Sequence, residues 1–453
     1  LRESLPDVAG APIGPTFAAA KRALDAAANA FEATIPLSIQ GDLSALRVRL
    51  AAPVDARAVS GAHLRLSPLR EDAPALVWRW PGAALHGALA LELSGGGAPH
   101  VSLLLDTLDW RPEAPLEGDG TLTLADWRAD GAGIAADELD VSFTLAPRDG
   151  GRIDLRGPVE ISGPLGEGEV RGLVAALDLG VIWDAGWRVV PNQGCLSVRL
   201  GGVDAAGLSF SNGAFALCPH NGALIASDAL GNLSGGFSIQ RLALNGRMAG
   251  PDAQPARLGA TNVIGRFSGR QGDVNLAIEA GAPTLRIEMA EARALAIAMQ
   301  RLTARAQIDE SWRVEGAFER GTLADPSLPG MVSTIAGVWT AAPEDGKPVI
   351  RVAAGEALLT ANRPESTEDR ALFNPLRLVE VGAVLRNGRI DASGAVVLAE
   401  RARQLARFTA FHETADGVGG AQIVAQDLMF DETLQPFEIT EQARGMVDNV
   451  RGH

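Results

Sequence analysis

The chain has 453 residues, a formal net charge of −15 and a hydrophobic content of 47%. The acidic balance argues against nucleic acid as a partner, because binding to phosphates needs clustered positive charge. Tyrosine is absent and aromatic residues make up 5% of the chain, which disfavours stacking platforms for bases or sugars. The hydrophobic content excludes a disordered chain. The 52 glycines among short apolar runs favour an all-β fold with many turns.

The first predicted element is an amino-terminal helix from Thr16 to Glu32, in which Phe17, Leu24 and Phe31 recur every seventh residue. This narrow apolar seam is typical of a helix that docks on the body of a fold, since a membrane-surface helix carries a denser apolar face. We assign residues 1–34 to this segment. The sequence has no run of about 18 apolar residues, so we expect no membrane-spanning helix. Because it begins at Leu1 without a signal-peptide pattern, we expect a fragment whose export signal or anchor lies upstream.

From Ile35 onward the spacing of apolar residues changes to that of strands, and this pattern continues through residues 35–438. Apolar and polar residues alternate in many short runs, separated by turn signals such as Asn245-Gly246 and Asn387-Gly388. The runs include Leu46, Val48 and Leu50; Leu89, Leu91 and Leu93; Val101, Leu103 and Leu105; Val141, Phe143 and Leu145; Leu276 and Ile278; Leu285 and Ile287; and Leu295, Ile297 and Met299. No linker divides this body, and the repetition at the level of the hairpin predicts an elongated antiparallel meander. Such a sheet can fold into a sandwich, wind into a solenoid or bend into an open trough.

The only two cysteines flank a predicted hairpin between Gly194 and Pro219. Apolar residues alternate on both strands, but their parity differs between Phe210 and Phe215, which predicts a one-residue bulge at Asn212-Gly213. The predicted partners are Cys195 with Cys218, Leu196 with Leu217, Val198 with Phe215, Gly202 with Phe210 and Asp204 with Leu208, around a three-residue turn at Ala205, Ala206 and Gly207. In this register a disulfide between the cysteines is geometrically possible and would add about 3 kcal/mol of stability. The alternative is two free cysteines on neighbouring strands.

A search for catalytic, metal-binding and cofactor motifs finds none that is convincing. The histidines show no metal-ligand spacing with one another or with cysteine. They are His63, His86, His100, His220, His412 and His453. Gly231 to Gly235 resembles a nucleophile elbow but places its serine one position too late, and neither a phosphate loop nor a dinucleotide fingerprint is found. We therefore predict no catalytic residue, no metal site and no cofactor.

A resemblance to a known family emerges near the carboxyl terminus. Residues Phe408 to Phe430 read FTAFHETADGVGGAQIVAQDLMF and continue into Leu434-Gln435-Pro436, after which Thr440 to Val450 predict a helix. This order of strand, turn and closing helix resembles the YdbH-like branch of the AsmA-like intermembrane phospholipid transport proteins. The cysteine hairpin up to Pro219 resembles that branch as well.

The resemblance implies a mainly β fold: an elongated, twisted antiparallel sheet curled into an open apolar groove, with an amino-terminal and a carboxyl-terminal helix. Family members continue beyond this point with more sheet, so we expect residues 439–453 to begin a truncated continuation. It also implies a non-enzymatic periplasmic bridge in Gram-negative bacteria that carries phospholipid acyl chains between the inner and outer membranes. The partners it implies are phospholipid and, through a missing amino-terminal anchor, the inner membrane. An outer-membrane lipoprotein could bind by β-strand addition to an unpaired sheet edge.

The predicted groove lining consists of inward-facing apolar residues of the cysteine hairpin and of later strands. They are Leu196, Val198, Leu200, Leu208, Phe210, Phe215, Leu217, Leu276, Ile278, Ile287 and Ile297. Two other classes stay open. A structural or adhesive β-solenoid has the same alternation with a filled interior, and a polysaccharide-active enzyme needs an exposed carboxylate cluster beside aromatic residues, which the sequence does not show.

Overall fold

The protein is described by a computed structural model and is mainly β, as predicted. The residues that the structure describes are 22, 31–42, 44–50, 53–70, 73–129, 131–146, 150–165, 168–205, 208–248, 253–270, 273–288, 294–308, 311–324, 330–345, 347–361, 375–398, 404–413 and 418–425. The contacts between Cα atoms divide the chain into two compact units. Unit 1 comprises residues 1–239 and 264–274, and unit 2 comprises residues 240–263 and 275–453.

Sixteen strands lie wholly in unit 1. They are β1 (Phe31–Thr34), β2 (Leu37–Gln40), β3 (Arg47–Leu50), β4 (Val54–Ala58), β5 (Ala62–Pro68), β6 (Leu76–Arg79), β7 (Ala84–Gly95), β8 (Val101–Trp110), β9 (Leu116–Ala129), β10 (Ala132–Ala146), β11 (Gly150–Leu165), β12 (Gly168–Trp183), β13 (Trp187–Pro191), β14 (Leu196–Ala205), β15 (Leu208–Pro219) and β16 (Ile225–Ser227). Three strands contribute residues to both units: β17 (Asn232–Met248), β18 (Pro255–Arg270) and β19 (Asp273–Glu288).

The remaining strands lie in unit 2. They are β20 (Ala294–Ala298), β21 (Arg301–Ile308), β22 (Trp312–Ala324), β23 (Gly330–Glu344), β24 (Lys347–Ala361), β25 (Leu376–Arg386), β26 (Arg389–Leu398), β27 (Gln404–Glu413) and β28 (Gly419–Ala425). From β21 to β28 each strand pairs antiparallel with the next, so this part is a meander of hairpins, as the turn signals predicted.

The sheet of unit 1 is not a simple meander, because two of its strands are each faced by two partners on one side. The first half of β7 pairs with β6, and its second half pairs with β5. In the same way, the end of β12 pairs with β13 while its earlier part pairs with β14. Short strands thereby fill the space beside a long neighbour. The prediction of a uniform meander is therefore wrong at these places, and in unit 2 β22 likewise pairs with both β20 and β21.

The predicted terminal helices are not shown. The helix predicted from Thr16 to Glu32 lies outside the described residues except for Arg22, Phe31 and Glu32. The last two of these belong to β1, where Phe31 pairs with Ala58, so the prediction is wrong at that end because backbone pairing with β4 replaces the helix. The helix predicted in residues 439–453 lies entirely outside the described residues.

The hairpin of β14 and β15 confirms the first half of the predicted register and corrects the second. Leu196 pairs with Leu217 and Val198 with Phe215, as predicted, but the same register continues to Ala205 with Leu208. There is no one-sided bulge, and the predicted three-residue turn is therefore too long. The corrected pairs past Asn212 are Gly202 with Ser211, Val203 with Phe210 and Asp204 with Ser209. Both strands are interrupted at the same level, at Gly201 and Asn212, so neither gains a residue over the other.

In several long strands, the residues that point inward change from even to odd numbers, or the reverse, part-way along the strand. In β23 the buried residue before the interruption is Val332, and after Thr334, which has a φ of 57°, the inward residues are Ile335 and Trp339. The inward side therefore moves from even to odd numbers. Arg320 in β22 and Glu380 in β25 have positive φ next to interruptions of the ladder as well. A residue in this conformation re-aims the strand, as a bulge does. The prediction that every second residue faces inward therefore holds only within each half of such a strand.

Many glycines lie inside strands, although the composition predicts them in turns. A recurring arrangement places a glycine directly opposite an aromatic residue on the next strand, whose ring covers the glycine. These pairs are Phe143 with Gly118, Trp183 with Gly151, Trp339 with Gly316, Phe408 with Gly394 and Phe411 with Gly420. The ring occupies the space that a Cβ would take, so the aromatic side chain lies flat on the sheet.

Candidate functional site

The strands β23 to β27 of unit 2 have one apolar and one charged face. A continuous row of paired residues crosses these strands on the apolar face: Trp339, Val352, Ala383, Ala392 and Ala410. All of them are half-buried and none is fully buried. Because side chains alternate across a strand, the neighbouring residues Thr340, Arg351, Val384, Asp391 and Phe411 form a row on the opposite face.

A depression of about 600 Å³ lies over these strands, and most of its lining residues belong to the face opposite the apolar row. Its lining is Val338, Trp339, Thr340, Arg351, Val352, Ala353, Gly382, Ala383, Val384, Asp391, Ala392, Ser393, Thr409 and Ala410. The volume falls within the range of roughly 300–1,000 Å³ that is usual for sites that bind small molecules. Small side chains at successive strands create the space, since alanine and glycine fill less of the surface than their neighbours do.

The opposite face of these strands is held together by ion pairs. Glu344 lies 2.5 Å from Arg351 and 2.6 Å from Arg386. Hydrogen bonding from Arg351, with a smaller contribution from Arg386, lowers the pKa of Glu344. Arg389 contacts Asp391 at 2.9 Å and Glu413 at 3.0 Å, and its guanidinium lies 4.5 Å from the centre of the Phe411 ring. These groups are exposed, so each pair stabilises the protein weakly, and together they place charges beside Val338, Val384 and Phe411 on this face.

Unit 1 has a smaller polar depression of about 330 Å³ near the middle of β9 to β12. Arg152 donates hydrogen bonds to Asp154 at 2.6 and 2.7 Å and to the side-chain oxygen of Asn192 at 2.6 Å. Asn192 in turn donates to Asp154 and Asp178. The bond from Arg152 lowers the pKa of Asp154, and the same bond raises the pKa of Arg152. Arg152, Asp154 and Asn192 thus satisfy one another, and Asp106, Asp119 and Asp140 add further carboxylates to the lining of the depression.

The predicted lining residues of unit 1 divide into two groups. Leu196, Val198, Leu200 and Phe210 are between 4% and 8% exposed, so they are core residues. The other three, Leu208, Phe215 and Leu217, are half-buried. A ligand can reach this second group without displacing packed side chains, whereas contact with the first group requires the hairpin to rearrange.

The predicted lining residues of unit 2 show the same division. Ile287 is 5% exposed and is a core residue. The half-buried ones are Leu276, Ile278 and Ile297, and Ile297 pairs with Leu285 on β19. Sequence reasoning missed the row from Trp339 to Ala410. The alternation there was readable, but alanines carry little hydrophobic signal and the change of facing at Thr334 disguises the period.

The predicted disulfide is confirmed. Cys195 and Cys218 are bonded, with an S–S distance of 2.08 Å and a Cα–Cα distance of 4.1 Å. The bond closes the open end of the hairpin formed by β14 and β15, next to the pair Leu196 and Leu217. Disulfides of this kind persist in oxidising compartments.

Within the described ranges, no set of three or more His, Cys, Asp or Glu residues is placed to hold a metal ion. The described part of the chain also contains no helix that is long and apolar enough to cross a membrane. No family model, curated protein or solved structure matches this chain.

Proposed function

We propose that the protein carries phospholipid acyl chains along the apolar face of its strands, as a non-enzymatic bridge in the periplasm between the inner and outer membranes. The observation that carries the proposal is the apolar row from Trp339 to Ala410, which crosses five strands and stays half-buried. A resemblance to the YdbH-like branch of the AsmA-like proteins, seen in the cysteine hairpin and near the carboxyl terminus, points to the same function.

The physical need for such a face follows from the cost of exposing a lipid to water. At about 0.8 kcal/mol per CH₂, a chain of about 16 carbons costs on the order of 13 kcal/mol to transfer from a bilayer into water. An apolar surface replaces the bilayer interior and lowers this cost. Transfer from one apolar environment to another is nearly neutral, so the chain is not trapped and can move on.

Two further features support an open apolar trough. At residues such as Thr334 the inward residues change from even to odd numbers, so apolar side chains stay on the same side of the sheet along the whole strand. Interruptions of this kind also bend the strand. We infer that this bending makes the apolar face concave. The charged face with Glu344, Arg351 and Arg389 keeps the outer side wetted, which such a trough needs to stay soluble.

The periplasmic location is supported by the disulfide between Cys195 and Cys218, since the periplasm is an oxidising compartment. The last described strand, β28, is a candidate site for a partner that adds a strand, such as an outer-membrane lipoprotein. Among the described residues it pairs only with β27, and Ile423 is 70% exposed. Exposed apolar edges of this kind accept an extra strand.

Site-specific photocrosslinking tests the proposal. A photoreactive residue in place of Val352 lies on the apolar face, and one in place of Ala353, the next residue of β24, lies on the charged face and serves as the matched control. We expect Val352 to capture phospholipid chains from cells and Ala353 to capture little. Native mass spectrometry of the purified protein should also show bound phospholipid. Equal capture at the two positions contradicts the proposal.

A structural or adhesive role is the second candidate, and one observation favours it. Leu196, Val198, Leu200 and Phe210 are packed as a filled interior would have them. The two functions differ in what they predict for Val352. A filled interior leaves no room for lipid there, so an absence of lipid from both the crosslinking and the mass spectrometry would favour the structural role.

A further inference from the structure

A pair of arginines faces each other at one rim of unit 1. Arg47 is the first residue of β3, Arg79 is the last residue of β6, and the two are direct partners in the antiparallel ladder. Direct partners have Cα atoms roughly 4.5–5.5 Å apart and project their side chains from the same face. Both side chains are exposed. Two like charges in this position repel each other and destabilise the sheet.

No carboxylate of the described residues neutralises this pair. The carboxylate of Asp42, in the preceding loop, accepts hydrogen bonds from the backbone N–H and the hydroxyl of Ser44. Asp109 lies on the same face three strands away from β3, and His86 contacts it. Five other arginines of unit 1 have acidic partners, as Arg152 has in Asp154. What distinguishes Arg47 and Arg79 is that two arginines without an acidic partner among the described residues face each other directly across the ladder.

Arg49 adds a third positive charge beside the pair. It follows Arg47 by two residues on β3 and so lies on the same face, where it pairs with Val77. Its Nε is buried and has no hydrogen-bond partner among the described residues. A buried donor without an acceptor costs free energy, so this face has more donors for an anion than the protein itself uses.

Two tryptophans mark the same rim on the apolar face. Trp78 pairs with Val48 and Leu85, and its ring centre lies 6.1 Å from that of Trp80. Trp80 is 46% exposed, and its backbone N–H donates to the carbonyl of Leu46 at 2.9 Å, which fixes the turn against β3. Trp78 is half-buried, so Trp80 is the exposed indole of the two, and an exposed indole near arginines is typical of the boundary between hydrocarbon and lipid headgroups.

We propose that this rim binds the phosphate of an anionic phospholipid headgroup. Arg47 and Arg79 donate hydrogen bonds to the phosphate oxygens, which guanidinium groups match in geometry and charge. Trp80 lies where the headgroup meets the acyl chains, which continue onto the apolar face. The inference rests on the proposed function in one respect, namely that the phosphate belongs to a carried lipid. A free phosphate would share the arginines but would gain nothing from Trp80.

Vesicle flotation with the full chain tests this site. The probe is phosphatidylcholine vesicles with and without phosphatidylglycerol, and the variant is Arg47→Gln with Arg79→Gln. The matched control is Arg128→Gln with Arg188→Gln, which removes the same charge from arginines that have acidic neighbours. We expect the wild type and the control to bind the phosphatidylglycerol vesicles, and the rim variant to bind them about tenfold more weakly. Rim and control variants that bind equally well would overturn the site.

Two further variants separate a binding role from a structural one. Arg79→Glu turns the repulsive pair into an attractive one, so we expect a higher unfolding midpoint together with loss of vesicle binding. A drop in both quantities would mean that Arg79 is structural. Trp80→Ala should weaken binding to phosphatidylglycerol vesicles. At concentrations that leave electrostatic screening unchanged, inorganic phosphate should not displace the wild type from these vesicles. Full displacement would assign the site to free phosphate and overturn the lipid assignment.

The outcomes also separate this inference from the proposed function. Capture of lipid at Val352 together with unchanged vesicle binding by the rim variant leaves the acyl-chain function intact and removes the rim site. Loss of vesicle binding in the rim variant with no capture at Val352 supports the rim site and contradicts carriage along the apolar face.

Discussion

Replacing Gly316 by alanine tests the arrangement that shapes the apolar face. Gly316 pairs with Trp339, and the indole ring covers it. A Cβ at this position would lie 2.5 Å from Nε1 of Trp339 and closer still to the carbonyl oxygen of Thr303 on the neighbouring strand. Atoms at these distances overlap, and the carbonyl belongs to the ladder between β21 and β22, so the ring has to move or the strands have to separate.

Overpacking of this kind typically costs about 1–3 kcal/mol. We therefore expect Gly316→Ala to lower the free energy of unfolding by that amount and to disturb lipid capture at Val352, because Trp339 pairs directly with Val352 on the same face. The matched control is Gly355→Ala in β24, where a Cβ meets nothing within 4 Å. The control should be neutral or stabilising by up to about 1 kcal/mol, since alanine restricts the unfolded chain.

Urea unfolding followed by tryptophan fluorescence measures both variants, with photocrosslinking at Val352 as the functional assay. The two units can unfold separately, so the transition that changes must be assigned before a free energy is extracted. A Gly316→Ala protein as stable as the Gly355→Ala control would refute the claim that the ring of Trp339 occupies the space above the glycine.

Three more predictions concern the strand interruption, the disulfide and acid stability. Thr334→Gly should stabilise the protein by about 1 kcal/mol because it removes left-handed strain, whereas Thr340→Gly on the same strand should destabilise it; equal losses in urea unfolding would contradict the assigned backbone. Cys195→Ala with Cys218→Ala should cost about 3 kcal/mol, and dithiothreitol should destabilise the wild type but leave this variant unchanged. The pKa of Asp154 is lowered in the folded state, so its stabilisation is complete above its ordinary value of about 3.9 and is lost as the pH falls through the lower folded value. Asp154→Asn should flatten the decline of the urea midpoint below about pH 4, and superimposable curves would show that the ion pair contributes nothing.

In the candidate site, the alternation of apolar residues did not predict which side chains are accessible. Leu196, Val198 and Leu200 were selected for strong alternation, and the same strength buries them in the core. The accessible row is built from weaker signals, Val352 and Ala383 among them, whose half-burial depends on what their neighbours leave uncovered. Hydrophobic strength thus indicates which side of a strand is apolar, but accessibility depends on the packing around it.

Register in the cysteine hairpin was predictable only in part, for a related reason. The pairs Leu196 with Leu217 and Val198 with Phe215 follow from the alternation of apolar residues, since a slip of the register by one residue would expose these side chains. Beyond these pairs, the apolar residues of β15 change from odd numbers at Phe215 to even numbers at Phe210. Either a bulge on one strand or an interruption of both strands can keep them on one face. The structure has the second, with Gly172 of β12 interrupted at the same level as Gly201 and Asn212. This interruption involves three neighbouring strands, so the sequence of one strand does not predict it.

By itself, the sequence determined the mainly β class, the alternation within each half-strand and the cysteine pairing, because the two-residue period of a strand and a short hairpin are local properties. Only the tertiary structure decided where Thr334 changes the inward side, which glycines lie beneath aromatic rings, and that Arg47 meets Arg79. Each of these depends on a partner strand whose register is fixed by many contacts at once. Contacts between neighbouring strands join residues that are far apart in the sequence, so local sequence patterns do not reveal them.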